Sequence, residues 1–277
     1  MKQSVPQVSV LMGVFNCEAT LTEAVESIKA QTFTDWEFII CDDGSKDGTL
    51  ALARDHARRD SRIKVIANSK NLGLAATLNH CARHAQGCYL ARMDGDDISE
   101  PHRFAKLVKV LQEKPEIAVV SSWMICFDEK GPWGEVKTKA EPTSRDFISG
   151  TPFCHAPCMM RREVFESLGG YSEKPWANRV EDYNLWFRLY AAGYKGVNLQ
   201  EPLYRMRNDS AATRRRNFKA RWHGVVVRWK GFGLLGYPWW KRLWAIKPIL
   251  VWLLPGRIYE WIYRLRRGIR KNSPITH

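Results

Sequence analysis

Residues 88–97 read CYLARMDGDD, an apolar run that ends in three carboxylates, Asp94, Asp96 and Asp97, within four positions. The run has the length and composition of a buried strand, and the end of a strand is where an α/β sheet collects its ligands. Like charges this close repel, so the chain must gain something by keeping them together. Carboxylates two apart can face a common site across a tight Gly95 turn. A hard divalent cation, Mg²⁺ or Mn²⁺, would offset their repulsion there. The same aspartates could instead cap the helix that follows or form a solvated turn, and DGDD alone supports either reading.

Outward from that strand the text repeats one rhythm. VSVLMGVF (8–15), WEFIICDDGS (36–45), IKVIANS (63–69) and IAVVSSWMICF (117–127) are further strand runs. Between them lie helical segments. Thr20 followed by Glu23 can form a capping box for a helix whose Leu21, Ala24, Val25 and Ile28 share one face. Asp47 can cap a helix through about Arg59. GLAATLNHCARHAQG (73–87) reads as a helix closed by Gly87. Ser99 can cap the next, with Pro101 in its first turn. Strands alternating with helices predict an α/β fold, a Rossmann-like, mainly parallel sheet with helices on both faces. In such a fold Asp42–Asp43 and Asp94–Asp97 should meet at one crevice although some fifty residues separate them. DDGS is also ordinary turn chemistry; the functional alternative is a carboxylate that accepts a hydrogen bond from a base N–H or a ribose hydroxyl.

After residue 128 the pattern loosens. GPWGEVKTKAEPTSRD (131–146) reads as a turn-rich excursion, and MMRREVFESLGG (159–170) as a short helix stopped by glycines. VEDYNLWFRLYAAG (180–193) is a helix with Leu185, Leu189 and Ala192 on one face. Glu181 and Asp182 sit near its N-terminus, where the dipole alone would favour acids. Arg188 could face the site or merely cover its helix. Cys154, His155 and Cys158 lack a fourth ligand at suitable spacing, so a zinc centre is not expected.

The chain has 277 residues and a formal charge of +14, but the charge is local. From Arg205 onward there are 18 Lys/Arg against 2 Asp/Glu, which leaves the first 204 residues slightly acidic. Seven of the 12 tryptophans fall in the same tail. In 257–271, Ile258, Trp261, Ile262, Leu265 and Ile269 form an apolar stripe opposite Arg264, Arg267 and Lys271. That pattern suits a helix lying in an anionic membrane interface; the plainer alternatives are packing on the α/β domain or an oligomer contact. Apolar stretches of the tail fall short of the ~20 residues a spanning helix needs. The seven cysteines are odd in number and irregularly spaced, as for reduced cytosolic thiols, and MKQSVPQ lacks the apolar core of a signal peptide. A basic aromatic tail also fits a nucleic-acid binder, but an acidic crevice would repel a phosphate backbone, so no nucleic acid is expected. Nothing in the text sets an oligomeric state.

The order VSVLMGVFN, AVESIKAQTF, FIICDDGSKDGT, NLGLAATLN, ARMDGDD and VEDYNLWFRL resembles the family 2 glycosyltransferases of the GT-A fold over residues 6 to about 210. The resemblance implies metal-dependent, inverting transfer of a sugar from a nucleotide donor, usually a UDP-sugar. It places Gly13, Phe15 and Asn16 beside the nucleotide and Asp43 on the uracil, with Asp42 adjacent. Asp94, Gly95 and Asp96 match the DxD motif that grips ribose and the diphosphate-bound metal, chiefly through Asp96. Asp97 would order that loop, Asp182 would be the catalytic base, and His155 would contact donor phosphate or acceptor. The implied division is a GT-A domain over 1–204, its nucleotide half about 1–127 and its acceptor half about 128–204, then the tail at 205–277. Phe15 stands where Tyr is commoner, and the QxxRW motif of processive synthases is absent, so single-sugar transfer is expected. Acceptors in the family are often lipid-linked, which suits a protein at the cytoplasmic face of the membrane. A nucleotidyltransferase making the nucleotide-sugar is the rival enzyme; it would need a Gly-rich phosphate loop with a basic residue, which VSVLMGVFN lacks.

Overall fold

The alternation in VSVLMGV sends Val8, Val10, Met12 and Val14 to one face of a strand and Leu11 to the other, and all five are buried. This strand, β1 (Val8–Val14), is therefore covered on both sides, as a parallel strand must be. In a computed structural model that describes residues 5–207 and 218–252, it pairs in parallel with β2 (Trp36–Asp42) and β4 (Tyr89–Asp94). Beyond β2 lies β3 (Ile63–Ala67), also parallel. The other half is mixed. It contains β8 (Met159–Arg161), β6 (Ile117–Asp128), β9 (Lys195–Arg207) and β5 (Ile98–Ser99), giving the order β3-β2-β1-β4-β8-β6-β9-β5 with β7 (Gly131–Val136) hairpinned onto β6.

Two apolar cores sandwich the sheet. One takes α1 (Leu21–Lys29), α2 (Thr49–Arg59) and α4 (Arg103–Glu113), with Leu21, Ala53 and Phe104 among its buried members. The other takes α3 (Leu74–His84), α5 (Arg162–Ser167), α6 (Glu181–Ala191) and α7 (Phe218–Leu234). The short helices α8 (Trp239–Arg242) and α9 (Lys247–Trp252) follow α7. Gly231 of α7 packs face-on to Phe187 of α6, so close that a Cβ would sit 2.2 Å from the ring. Part of the basic tail is thus built onto the sheet's second core. The 257–271 stripe lies outside the described residues, and β9 runs through positions 204 and 205, where the composition changes.

Several local expectations give way to tertiary contacts. Thr20 forms no capping box; its hydroxyl donates instead to the Gly95 carbonyl at 2.8 Å, tying α1 to the DGDD turn. The helix beginning at Thr49 has its first amide held by Asp47 Oδ1 at 3.1 Å. The α3 helix ends at His84, before Gly87, whose lack of a side chain lets Ser9 approach: a Cβ would meet the Ser9 nitrogen at 2.7 Å. Ser99 caps nothing. It pairs with Tyr204 across β5 and β9, and α4 begins at Arg103, with Pro101 before it. The excursion after 128 opens with β7, and MMR is a strand rather than the start of a helix.

Candidate active site at the carboxyl ends of β1, β2 and β4

Parallel register places Gly13 beside Asp94 on one side and beside Cys41 on the other, so the ends of three strands form one rim. Gly13 is small because α3 lies against it: a Cβ would meet Thr77 Cγ2 at 2.9 Å. Phe15 is 44% exposed just past the strand. Asn16 adopts φ 52° and joins two loops, its amide donating to Ser45 Oγ at 3.0 Å and its Oδ1 accepting from the Lys46 amide at 2.9 Å. Asp42 and Asp43 are both buried beneath these loops. Asp43 accepts from Asn68 Nδ2 and from the amides of Leu72 and Gly73, at 2.8, 2.8 and 2.9 Å, and so shapes the 68–73 loop. Asp42 Oδ2 accepts from the amides of Gly44 and Ser45, while its Oδ1 is enclosed without a donor.

The carboxylates of Asp94, Asp96 and Asp97 lie within 4.8 Å of one another. Gly95 permits this turn to tuck under the β1 loop, since a Cβ would meet Val14 Cγ1 at 2.7 Å. Asp97 is buried, and its Oδ1 accepts from the Arg207 amide at 2.7 Å. Burial, reinforced by the charges of Asp94 and Asp96, pushes its carboxyl well above the usual carboxylate range. A cation among these oxygens would relieve that repulsion. The donor set is all oxygen, as Mg²⁺ and Mn²⁺ prefer, so the residues fit such an ion.

Arg92 is the residue the sequence reading passed over. Two positions before Asp94, it points to the same side of β4 and grips that carboxylate with both terminal nitrogens, at 2.7 and 2.5 Å. It is 8% exposed; burial works against its charge, but Asp94, with Tyr204, Tyr171 and Asp97 behind it, more than offsets that cost and raises its pKa, so it stays protonated. Its positive charge also reaches across to Glu181, Asp182 and His155. Arg103, fully buried under the rim, donates to the Arg92 carbonyl at 3.0 Å. Tyr204 receives the Asp94 amide at 3.1 Å, and Arg207 holds both the Asp96 carbonyl and Glu23. These last two come from β9, which has no strand signature. Only the period-two spacing of Arg92 and Asp94 was available to find any of them.

Asp182 stands in the first turn of α6, partly exposed. Burial raises its carboxyl above the usual range, with the Tyr183 amide and Arg92 pulling the other way. Glu181, at its side, is buried and pushed up to about 7, by burial and then by the Asp182 charge. His155 Nε2 lies 2.8 Å from the Tyr171 hydroxyl, and burial together with Arg92 keeps the imidazole neutral. Arg188 is spent on structure. Its Nε donates to Asn184 Oδ1 at 2.9 Å and its terminal nitrogens to the carbonyls of Leu168 and Gly170, fastening α6 to a glycine turn. Cys154 and Cys158 are buried around the Cys154 carbonyl, and the metal-type cluster among the described residues is the aspartate one.

A mixed α/β sheet with acidic loops at its strand ends is the framework of a GT-A glycosyltransferase. The pattern of Glycosyl transferase family 2 matches residues 9–169, and the chain belongs to that family; it is a glycosyltransferase. EpsE of Bacillus subtilis is 40% identical over 273 residues, 98% of each chain. The UDP-Gal:alpha-D-GlcNAc-diphosphoundecaprenol beta-1,3-galactosyltransferase of Escherichia coli is 30% identical over 222 residues, covering 78% of this chain and 79% of that one. Among solved structures, S. aureus TarS 1–349 in complex with UDP-GlcNAc superposes with a TM-score of 0.65 at 18% identity, over 80% of this chain and 65% of that one. The mannosyltransferase PcManGT of Pyrobaculum calidifontis, in complex with GDP-Man and Mn²⁺, gives 0.62 at 20% identity, over 94% and 79%. Both share the fold.

Proposed function

We propose that the protein transfers one sugar from a UDP-sugar, with inversion, to a lipid-linked saccharide of the cell envelope, at the cytoplasmic face of the membrane. The observation that carries this reading is the meeting of the acidic loops at the carboxyl ends of adjoining parallel strands, where Asp94, bound to Arg92, clusters with Asp96 and Asp97. The names of the relatives support the substrate classes, the galactosyltransferase being named for a UDP-linked donor and a diphosphoundecaprenol acceptor.

In this reading Gly13, Phe15 and Asn16 border the nucleotide. Asp43 fixes the 68–73 loop by accepting three hydrogen bonds and retains one acceptor position for a base N–H, with Asp42 buried beside it. Asp96, with Asp94 and Asp97, would hold Mn²⁺ or Mg²⁺, which when bound supplies positive charge beside the diphosphate. Asp182 takes the proton of the acceptor hydroxyl as that oxygen bonds to the anomeric carbon. The bond from this carbon to the diphosphate breaks on the opposite face, and UDP leaves with the electron pair. A base whose pKa is raised accepts that proton more readily than a surface carboxylate would. In this reading His155, neutral and held by Tyr171, contacts donor phosphate or acceptor.

The tail suits the acceptor. Trp222, Trp229, Trp239, Trp240 and Trp244 are each 46–69% exposed, and Lys219, Lys230 and Lys241 alternate with them. Rings at headgroup depth with cations toward anionic lipid is the arrangement of a peripheral membrane surface. Among the described residues no helix is long and apolar enough to cross a membrane.

The test is a screen of UDP- and GDP-sugars for protection against heating and for slow hydrolysis, with and without EDTA. A UDP-sugar should stabilise the protein and be hydrolysed only with Mn²⁺ or Mg²⁺ present. Hydrolysis undiminished by chelator would remove the metal, and indifference to every UDP-sugar would remove the donor assignment.

A further inference from the structure

A groove of about 980 Å³ opens between α6, α7 and the 169–176 segment. It adjoins the catalytic wall. Tyr171, which lines it, carries the hydroxyl bonded to His155 and lies within the field of Asp182; Asn184, also in its wall, belongs to α6, the helix whose first turn carries Asp182 on another face.

The groove's charge is nearly all of one sign. Lys174, Lys230 and Arg242 line it against a single acid, Glu173, which is occupied by Asn79 Nδ2 at 2.7 Å. Among the described residues none of the three cations forms an ion pair. Lys230 Nζ lies 5.0 Å from the Trp176 ring centroid, a contact that orients the ammonium without neutralising it. Arg242 is anchored through Nε to the Tyr237 carbonyl at 3.0 Å. Its guanidinium extends over Gly233, where a Cβ would come within 3.3 Å of Nη1. Arg188 adds charge beneath the surface, with each of its three nitrogens already bonded once. Two of these three cations are held in place, Lys230 by an aromatic ring and Arg242 by a carbonyl and a glycine floor, and Glu173 is the one acid beside them in the groove.

Cations so arranged recognise phosphate oxygens, and a fixed guanidinium does so in forked geometry. A neutral saccharide would gain little from them. Lys230 and Arg242 also belong to the two helices that expose Trp229, Trp239 and Trp240, so a phosphate bound here would sit at the depth of a lipid headgroup. We propose that this groove is the acceptor's phosphate subsite. It holds the diphosphate that links saccharide to lipid, while the saccharide reaches Asp182. The proposal rests on the glycosyltransfer reading above and assigns the class of acceptor.

The full-length protein, its donor site saturated with UDP and Mn²⁺, is titrated with farnesyl diphosphate, with farnesol and with phosphatidylglycerol vesicles. Farnesyl diphosphate should bind at least about tenfold more tightly than farnesol, since charge-assisted contacts of this kind are worth more than a decade in affinity. Lys230→Glu with Arg242→Glu should erase that preference while UDP affinity persists; Lys230→Gln, which keeps the stem, should weaken it partially. Equal binding of alcohol and diphosphate, or indifference to the double charge reversal, overturns the proposal. So does a loss confined to the vesicles, which would assign the cations to lipid headgroups. UDP affinity, measured first, reports separately on the donor site, so a failed groove and a failed glycosyltransfer reading give different results.

Discussion

The rim at the ends of β1, β2 and β4 and the wall made by β9, α6 and α7, which the proposed function assigns to one site, are built differently. The rim is assembled from adjacent parallel strands, each ending in the residues it contributes, so strand periodicity and loop chemistry suffice to place them. The wall is assembled from segments that meet only after folding. Gly231 has meaning only against Phe187, Tyr204 only against Asp94, and Arg188 only against the Leu168 and Gly170 carbonyls. The lesson is that the acids of both regions are placed by local sequence, while their setting, including the potential around Asp182, comes from contacts made only on folding.

The strongest blow to that division of labour falls on Asp182. Asp182→Asn keeps the rim intact, so UDP affinity should persist while turnover falls about 10³-fold, the usual scale for losing a general base; a near-normal single-turnover rate would take the base away from the wall. Next comes the cation that joins the two regions. Arg92→Met leaves Asp94 partly buried without its partner and should cost about 3 kcal/mol in denaturant unfolding, with weaker UDP binding. Unfolding at the wild-type midpoint would show that the two halves are independent. Gly231→Val strikes the wall alone: overpacking against Phe187 should cost about 1–3 kcal/mol and leave UDP binding unchanged, whereas lost UDP binding would show that α7 supports the rim as well.

The smallest effect is a slope. Glu181 ionises near 4.5 when unfolded but at about 7 in the fold. Between those values the native state binds the extra proton, so stability is greatest below that window and declines as pH rises through it. Glu181→Gln should flatten the fall in melting temperature between pH 5 and pH 7.5, an effect of about 1–2 kcal/mol. A wild-type slope in the variant would place the titrating group elsewhere.

Much of the site could be read directly. The acids at 42–43, 94–97 and 181–182 were visible because each follows or opens a periodic element. Three local signals misled because a tertiary partner offered more. The Thr20 hydroxyl serves Gly95, Ser99 gives its backbone to β9, and Gly87 makes room for Ser9. The strand β9 escaped notice because KGVNLQEPLYRMR contains a proline and little alternation; it is a strand because β6 presents unpaired backbone groups to it.

By itself, the sequence determined the alternating architecture, the acidic strand ends and the split between an acidic body and a basic, tryptophan-rich tail. These depend on periodicity and charge, which are properties of neighbouring residues. Only the tertiary structure decided that Arg92 binds Asp94 while acting on Asp182, that Arg188 is structural, and that Lys174, Lys230 and Arg242 share one groove. Those facts depend on which distant side chains are brought close enough for Coulomb and hydrogen-bond forces to act, and separation along the chain does not encode that distance.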